Sequence, residues 1–177
     1  MMQQEIFQNV QIDLSLLPSA GGLDWKPLQQ SYRRLLLLSV GLWCAVLIAG
    51  ITIAIPVTQL PTWVPLLAYA VVIVFSLLQV IFIIKGFPYK GYALRMHDIL
   101  YKTGWLYKKQ IAVPFNRIQH VDIRQGVFER AFGLSKLNIY TAGGQGSDIT
   151  IPGLLDEEAQ HLKEYILRKT TAQDEEE

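Results

Sequence analysis

The chain has 177 residues, 51% of them apolar, with 16 basic and 15 acidic side chains and a net charge of +1. None of these charges, and no histidine, falls within residues 35–84. Such a block excludes a wholly water-soluble fold, and the length that remains excludes several large soluble domains.

Residues 1–34 hold scattered apolar residues, Pro18 and Gly21-Gly22, and are expected to form a mostly irregular cytoplasmic arm. The uncharged block then divides into two apolar runs, 35–55 and 63–84, of 21 and 22 residues. About 20 apolar residues in a helix cross a hydrocarbon core. Pro56 and Pro61 in the short connector stop one helix and let the next begin. The prediction is a transmembrane helical hairpin. Arg33 and Arg34 precede it, Lys85 and Lys90 follow it, and the connector is uncharged. Lys and Arg remain on the cytoplasmic side, so both termini are expected there, with Trp63 as an outer interfacial aromatic. The mixed charge of the first 34 residues and the second span argue against a signal peptide.

Within the hairpin, Gly41, Ala45 and Ala49 recur every four residues on one face of the first helix. Small residues at that spacing permit close approach of the second helix or of another subunit. Ser39 and Gln79 lie a few residues inside the cytoplasmic ends and are expected to share a hydrogen bond as structural glue. With no charge in either helix there is no proton relay, ion pathway or gating charge, so transport by this chain alone is not expected. The single cysteine, Cys44, falls inside the first span and reads as a small packing residue.

Residues 87–169 are the stretch able to build a soluble core, joined to the hairpin by a short tether from Gly86 to Gly91. Period-two alternation marks strands around Tyr92-Leu94-Met96, Val121-Ile123, Leu137-Ile139-Thr141 and Ile149-Ile151. Turn residues separate them at His97-Asp98, Thr103-Gly104, 114–116, Gly126, Gly133 and Gly143-Gly144-Gln145-Gly146. Short strands with regular turns predict an antiparallel sandwich or barrel. Asp156 then opens a helix with Glu157 and Glu158 in its first turn and Arg168 and Lys169 near its end. Leu155, Ala159, Leu162 and Ile166 form its apolar stripe, suited to cover an open end of the barrel. Residues 170–177 end as a solvated acidic tail.

Charge divides unevenly. Residues 85–136 hold ten basic and three acidic side chains, a net +7, whereas 137–177 carry a net −6. Beside a membrane span, Lys85, Lys90, Arg95, Lys108 and Lys109 are candidates to face anionic lipid, at about 1 kcal/mol for each nearby Lys or Arg. Arg117, Arg124 and Arg130 complete the candidates for a lipid- or partner-facing surface. Arg117 and Arg130 either brace loops through backbone carbonyls or present charge, since the guanidinium fork suits both tasks.

The run Val113-Pro114-Phe115-Asn116-Arg117-Ile118-Gln119-His120-Val121 is followed by Gln125-Gly126-Val127-Phe128-Glu129-Arg130-Ala131-Phe132-Gly133-Leu134. Tyr140-Thr141-Ala142-Gly143-Gly144 and Ile151-Pro152-Gly153-Leu154 come next. In this order and spacing the motifs resemble the YdbS-like group of bacterial pleckstrin-homology (PH) domains, over about residues 25–169. The resemblance implies a bacterial inner-membrane protein with a helical hairpin, then a bent antiparallel sheet or barrel capped by a C-terminal helix. It implies no established activity. On the residues themselves, Phe128 and Phe132, four apart, suit a short helical turn pinned to the core.

Chemistry is sparse. His97, His120 and His161 are scattered over a turn, a strand and a helix, without the spacing of a zinc site. No nucleophile elbow or phosphate loop occurs. No catalytic residues, metal or cofactor are therefore expected, nor nucleic-acid binding. Two functions remain. One is a membrane-anchored interaction module that docks a protein, such as a related PH-domain membrane protein or a second copy, by its sheet edges or loops. The other is recognition of anionic lipid through a basic membrane-facing surface. An accessory subunit of a membrane complex merges with the first.

Overall fold

The computed structural model describes residues 23–58, 60–142 and 149–174, with side chains as far as Thr170. Most of the expected N-terminal arm, the Gly143–Gly146 connection and the last three residues of the acidic tail lie outside the described residues. In chain order the elements are β1 (Lys26–Pro27), α1 (Gln30–Thr58), α2 (Trp63–Gly86), β2 (Gly91–Leu94), β3 (Asp98–Thr103) and β4 (Lys109–Pro114). They continue with β5 (Ile118–Arg124), α3 (Val127–Ala131), β6 (Leu134–Thr141), β7 (Ile149–Leu155) and α4 (Asp156–Asp174).

The expected hairpin is present. Both helices are long and apolar enough to span a bilayer, and almost none of their span residues is buried within the protein. Helix α1 runs beyond the apolar segment at both ends and carries Pro56 inside its last turn. There the proline forfeits only its own bond back to Thr52, and the Thr58 hydroxyl donates to the Ala54 carbonyl at 3.0 Å. The Thr52 and Tyr69 hydroxyls join the two helices at 2.9 Å.

The small-residue stripe does not form the seam. Gly41, Ala45 and Ala49 are exposed, and a Cβ on Gly41 would meet nothing within 4 Å. Val40, Cys44 and Leu47 instead face α2, lining an interhelical cavity with Val72, Ser76 and Gln79. The rotation of α1 is set at its base, where Tyr32 and Leu35 must reach the domain core. The expected Ser39–Gln79 bond is also absent: the Ser39 hydroxyl donates to the Leu36 carbonyl at 2.7 Å, within its own helix.

The remainder is two antiparallel sheets, β1-β2-β3-β4 and β5-β6-β7, sharing one core with α4. On β5, β6 and β7 the expected apolar positions Val121, Leu137, Ile139, Ile149 and Ile151 are buried, but Ile123 is half-buried and strict alternation is lost where Asn138 and Ser135 on β6 and residues 152–154 on β7 are buried as well. On β2 it fails: Tyr92 and Ala93 are both buried, while Leu94 is half-exposed and Met96 sits in the following turn at 71% exposure. On α4, Ala159, Leu162 and Ile166 are buried as the stripe requires, but Leu155 is exposed as the end of β7. Asp156 accepts a bond from the buried Ser135 hydroxyl at 2.7 Å, which fixes the start of α4 to β6.

The described end of the expected arm, residues 23–34, is part of the domain. Strand β1 pairs with β2 in the register Lys26↔Tyr92 and Pro27↔Gly91. The whole membrane hairpin is therefore an insertion between two neighbouring strands of one sheet. Leu28, Tyr32 and Leu35 belong to the domain core. At Gly153 of β7 the backbone has φ +67°, and a Cβ there would lie 2.4 Å from the Tyr32 ring. Only glycine meets both demands, and the Gln29 N–H donates to the Gly153 carbonyl at 3.1 Å beside it. The supposed tether is not loose either. Phe87–Tyr89 forms a 3-10 turn, and Phe87 is buried in the core. Both ends of the hairpin are thus packed into the domain.

Candidate functional site at the membrane end of the domain

Strand β2 leads away from the end of α2, and β3 returns, so the β3–β4 loop lies at the membrane end and the β2–β3 turn at the far end. Gly104 starts that loop at φ +94°, where a Cβ would collide with the Tyr107 carbonyl at 1.9 Å. The tight turn projects Trp105, Leu106 and Tyr107 between the strands. Trp105 meets the Phe82 ring edge-on at 6.0 Å, and Lys85 Nζ stands 5.4 Å from its centroid.

This pairing is one of four among the described residues. Arg33 lies over Phe87 at 5.9 Å, Lys90 over Tyr32 at 5.8 Å and Lys102 over Trp25 at 4.3 Å. The neck between hairpin and domain is therefore ringed by cations on aromatic faces, each contact contributing about 0.5–1 kcal/mol where exposed. Partial burial lowers the pKa of Lys90 from its ordinary value. Lys102, Lys108 and Lys109 line an open pocket of about 280 Å³ with Tyr89 and Gln110, and no acid among the described residues lines it.

The other sequence candidates do not join this cluster. Arg95 is at the far end, in a bidentate ion pair with Asp98 across the β2–β3 turn. Arg124 lies on the outer face of β5, 3.0 Å from Asp122 and 3.0 Å from the Tyr140 hydroxyl. Asn138 donates to the same Asp122 at 2.7 Å and accepts from Thr150 at 2.9 Å, so the network spans all three strands. Burial pushes the Asp122 pKa up, but the bonds from Asn138 and Arg124 outweigh it and the net shift is downward. Arg117 and Arg130 are exposed, and the Arg117 carbonyl accepts from the Ala142 N–H at 3.2 Å.

Helix α3 departs from expectation. Phe132 packs against the core, but Phe128 does not: it is 57% exposed, beside Val127 at 84%. Glu129 holds α3 in place. Its carboxylate reaches Lys136 Nζ at 2.6 Å and lies against Gly126 at the helix start. The Lys136 hydrogen bond keeps the Glu129 pKa below the usual carboxylate range. The Tyr92 hydroxyl donates to Glu158 of α4, and burial followed by that bond raises the Tyr92 pKa well above its ordinary value.

Sequence reasoning missed Trp25, Lys102 and Trp105 as site residues. The aromatic run 105–107 between Gly104 and Lys108-Lys109 was the available signal: large apolar residues in a turn have no strand face to bury them. Trp25 carried no comparable signal, because its role depends on β1 pairing with β2.

The bacterial PH domain family model matches residues 35–170. Over 127 residues the chain is 30% identical to the transmembrane protein YdbS of Bacillus subtilis (strain 168), covering 71% of this chain and 77% of that protein. No solved structure matches. Two candidate spans, the two antiparallel sheets with their closing helix and the family match agree: the chain is a membrane protein and belongs to the bacterial PH domain family.

Proposed function

We propose that the chain is a membrane-anchored PH-like interaction module at the cytoplasmic face of the bacterial inner membrane, with no catalysis of its own. Its basic neck engages the anionic headgroups of that leaflet. The observation that carries this reading is the sorting of the cations. Lys85, Lys90 and Lys102 rest on aromatic rings and Lys108 and Lys109 line an acid-free pocket, whereas Arg95 and Arg124 are matched to carboxylates. A ring face orients a cation without neutralising it, so its charge remains available to phosphate. The basic flanks of both helices support a cytoplasmic domain.

The test is thermal unfolding of the full chain in nanodiscs, with and without phosphatidylglycerol. Anionic lipid raises the wild-type midpoint, and Lys108→Glu with Lys109→Glu removes that gain, since each lysine contributes about 1 kcal/mol at such a surface. An undiminished gain in the double variant overturns the headgroup reading.

A second reading, docking of a related PH-domain membrane protein or a second copy, is favoured by β4. Among the described residues it is an edge strand paired only with β3, with Lys109, Gln110 and Ala112 exposed, and so is open to strand addition. A photo-cross-linker at Gln110 in native membranes captures a discrete protein if this holds, and lipid alone if it does not.

A further inference from the structure

We infer that the domain inserts two apolar prongs into the cytoplasmic leaflet, one beside each membrane helix: Val127-Phe128 of α3 against α1, and Leu106-Tyr107 of the β3–β4 loop against α2. This goes beyond the headgroup reading, because it concerns hydrocarbon rather than phosphate and involves different side chains.

Val127 is 84% exposed, Phe128 57%, Leu106 80% and Tyr107 83%, while the neighbouring core residues Phe115, Leu134 and Leu137 are at 0%. A small domain able to bury those residues does not leave four large apolar side chains in water without a reason. What covers them follows from position. Phe128 closes a small apolar cavity of about 70 Å³ whose other walls are Leu35, Leu38, Ser39, Leu42 and Trp43 of α1. That run begins one residue after Arg34, the last charge before the span. At about 1.5 Å of rise per residue, Leu35 to Leu42 extends roughly 10 Å along the helix, so the ring stands beyond the charged boundary, beside lipid-facing residues. Leu38, Leu42 and Trp43 are themselves 56%, 51% and 67% exposed.

The second prong sits at a shallower level. Trp105 contacts Phe82 and Lys85, the last turn of the α2 span, and Leu106 and Tyr107 follow it directly. A tyrosine there suits the interface, with its ring in apolar surroundings and its hydroxyl among headgroups. Two prongs on different sides of the hairpin restrain the domain against tilting, as a hairpin alone does not. Glu129–Lys136 and Gly104 fix their geometry from behind. The surface is continuous with that of the membrane helices, so its occupant is the bilayer.

The test uses the full chain with Cys44→Ser, single cysteines placed by Val127→Cys, Leu106→Cys, Val46→Cys and Arg95→Cys, and a nitroxide label at each, in zwitterionic nanodiscs. Power saturation compares collisions with oxygen, which concentrates in lipid, and with a water-soluble nickel chelate. Labels at 127 and 106 are expected to favour oxygen, as the span control at 46 does, with nickel access well below that at 95. Nickel access equal to that at 95 places the prongs in water and overturns the inference. Low collision rates with both reagents mean that protein covers them, and also overturn it. Zwitterionic lipid removes the phosphatidylglycerol attraction, so failure here is distinguishable from failure of the headgroup reading.

Discussion

The neck and the outer face of the second sheet use the same kinds of cation in opposite ways. At the neck, Arg33, Lys85, Lys90 and Lys102 lie over aromatic rings. On the second sheet and α3, Arg124 meets Asp122 and Lys136 meets Glu129. A carboxylate cancels the charge it holds, whereas a ring holds the side chain and leaves its charge to act outward. The difference teaches that a basic composition is not itself a binding surface. Ten basic residues lie between 85 and 136, and their surroundings divide them among carboxylates, aromatic rings and open surface.

The change expected to break this contrast most severely is at the joint on which the neck depends. Gly153→Val puts a β-branched side chain at φ +67° and into the Tyr32 ring. We expect a loss of about 2–6 kcal/mol from backbone strain and overpacking together, read as a lowered unfolding midpoint in detergent or nanodiscs. Displacing Tyr32 also removes the ring beneath Lys90. A midpoint within error of wild type would show that α1 is not clasped in this way.

A smaller effect tests the carboxylate side through pH. The folded pKa of Glu129 is depressed, so the stability it contributes is present above the ordinary carboxylate pKa of about 4.3 and is lost as pH falls through the folded value. Glu129→Gln should therefore flatten the acid-side decline while lowering stability near neutral pH. An unchanged acid limb would mean that the Lys136 pairing contributes nothing in solution. The least effect is expected at the far end. Arg95 and Asp98 form an exposed pair, which water and salt screen, and Arg95→Ala should leave both the unfolding midpoint and its dependence on anionic lipid unchanged. A loss of lipid dependence in that variant would extend the binding surface beyond the neck.

Much of the architecture was legible in the residues. Fifty positions without a charge specify a membrane hairpin, because an apolar helix of that length has no other stable surroundings. Period-two alternation on β5 to β7 and the stripe of α4 specify strands with an apolar face and a covering helix, since each pattern fits only one backbone period, although β6 and β7 are buried beyond that one face. Reading failed where a residue's surroundings come from distant parts of the chain. Lys26-Pro27 is too short to alternate, and becomes a strand only because β2 returns from the membrane beside it. Phe128 reads as core at helical spacing, yet α3 turns it toward α1.

The sequence by itself determined which segments leave water and which face of each regular element is apolar, because those properties follow from local composition and backbone period. Only the tertiary structure decided that the hairpin is inserted within a sheet and clasped by Tyr32 and Gly153. It also decided which cations meet rings and which meet acids. Both outcomes rest on contacts between residues far apart in the chain, Tyr32 with Gly153 and Trp25 with Lys102, which no local pattern encodes.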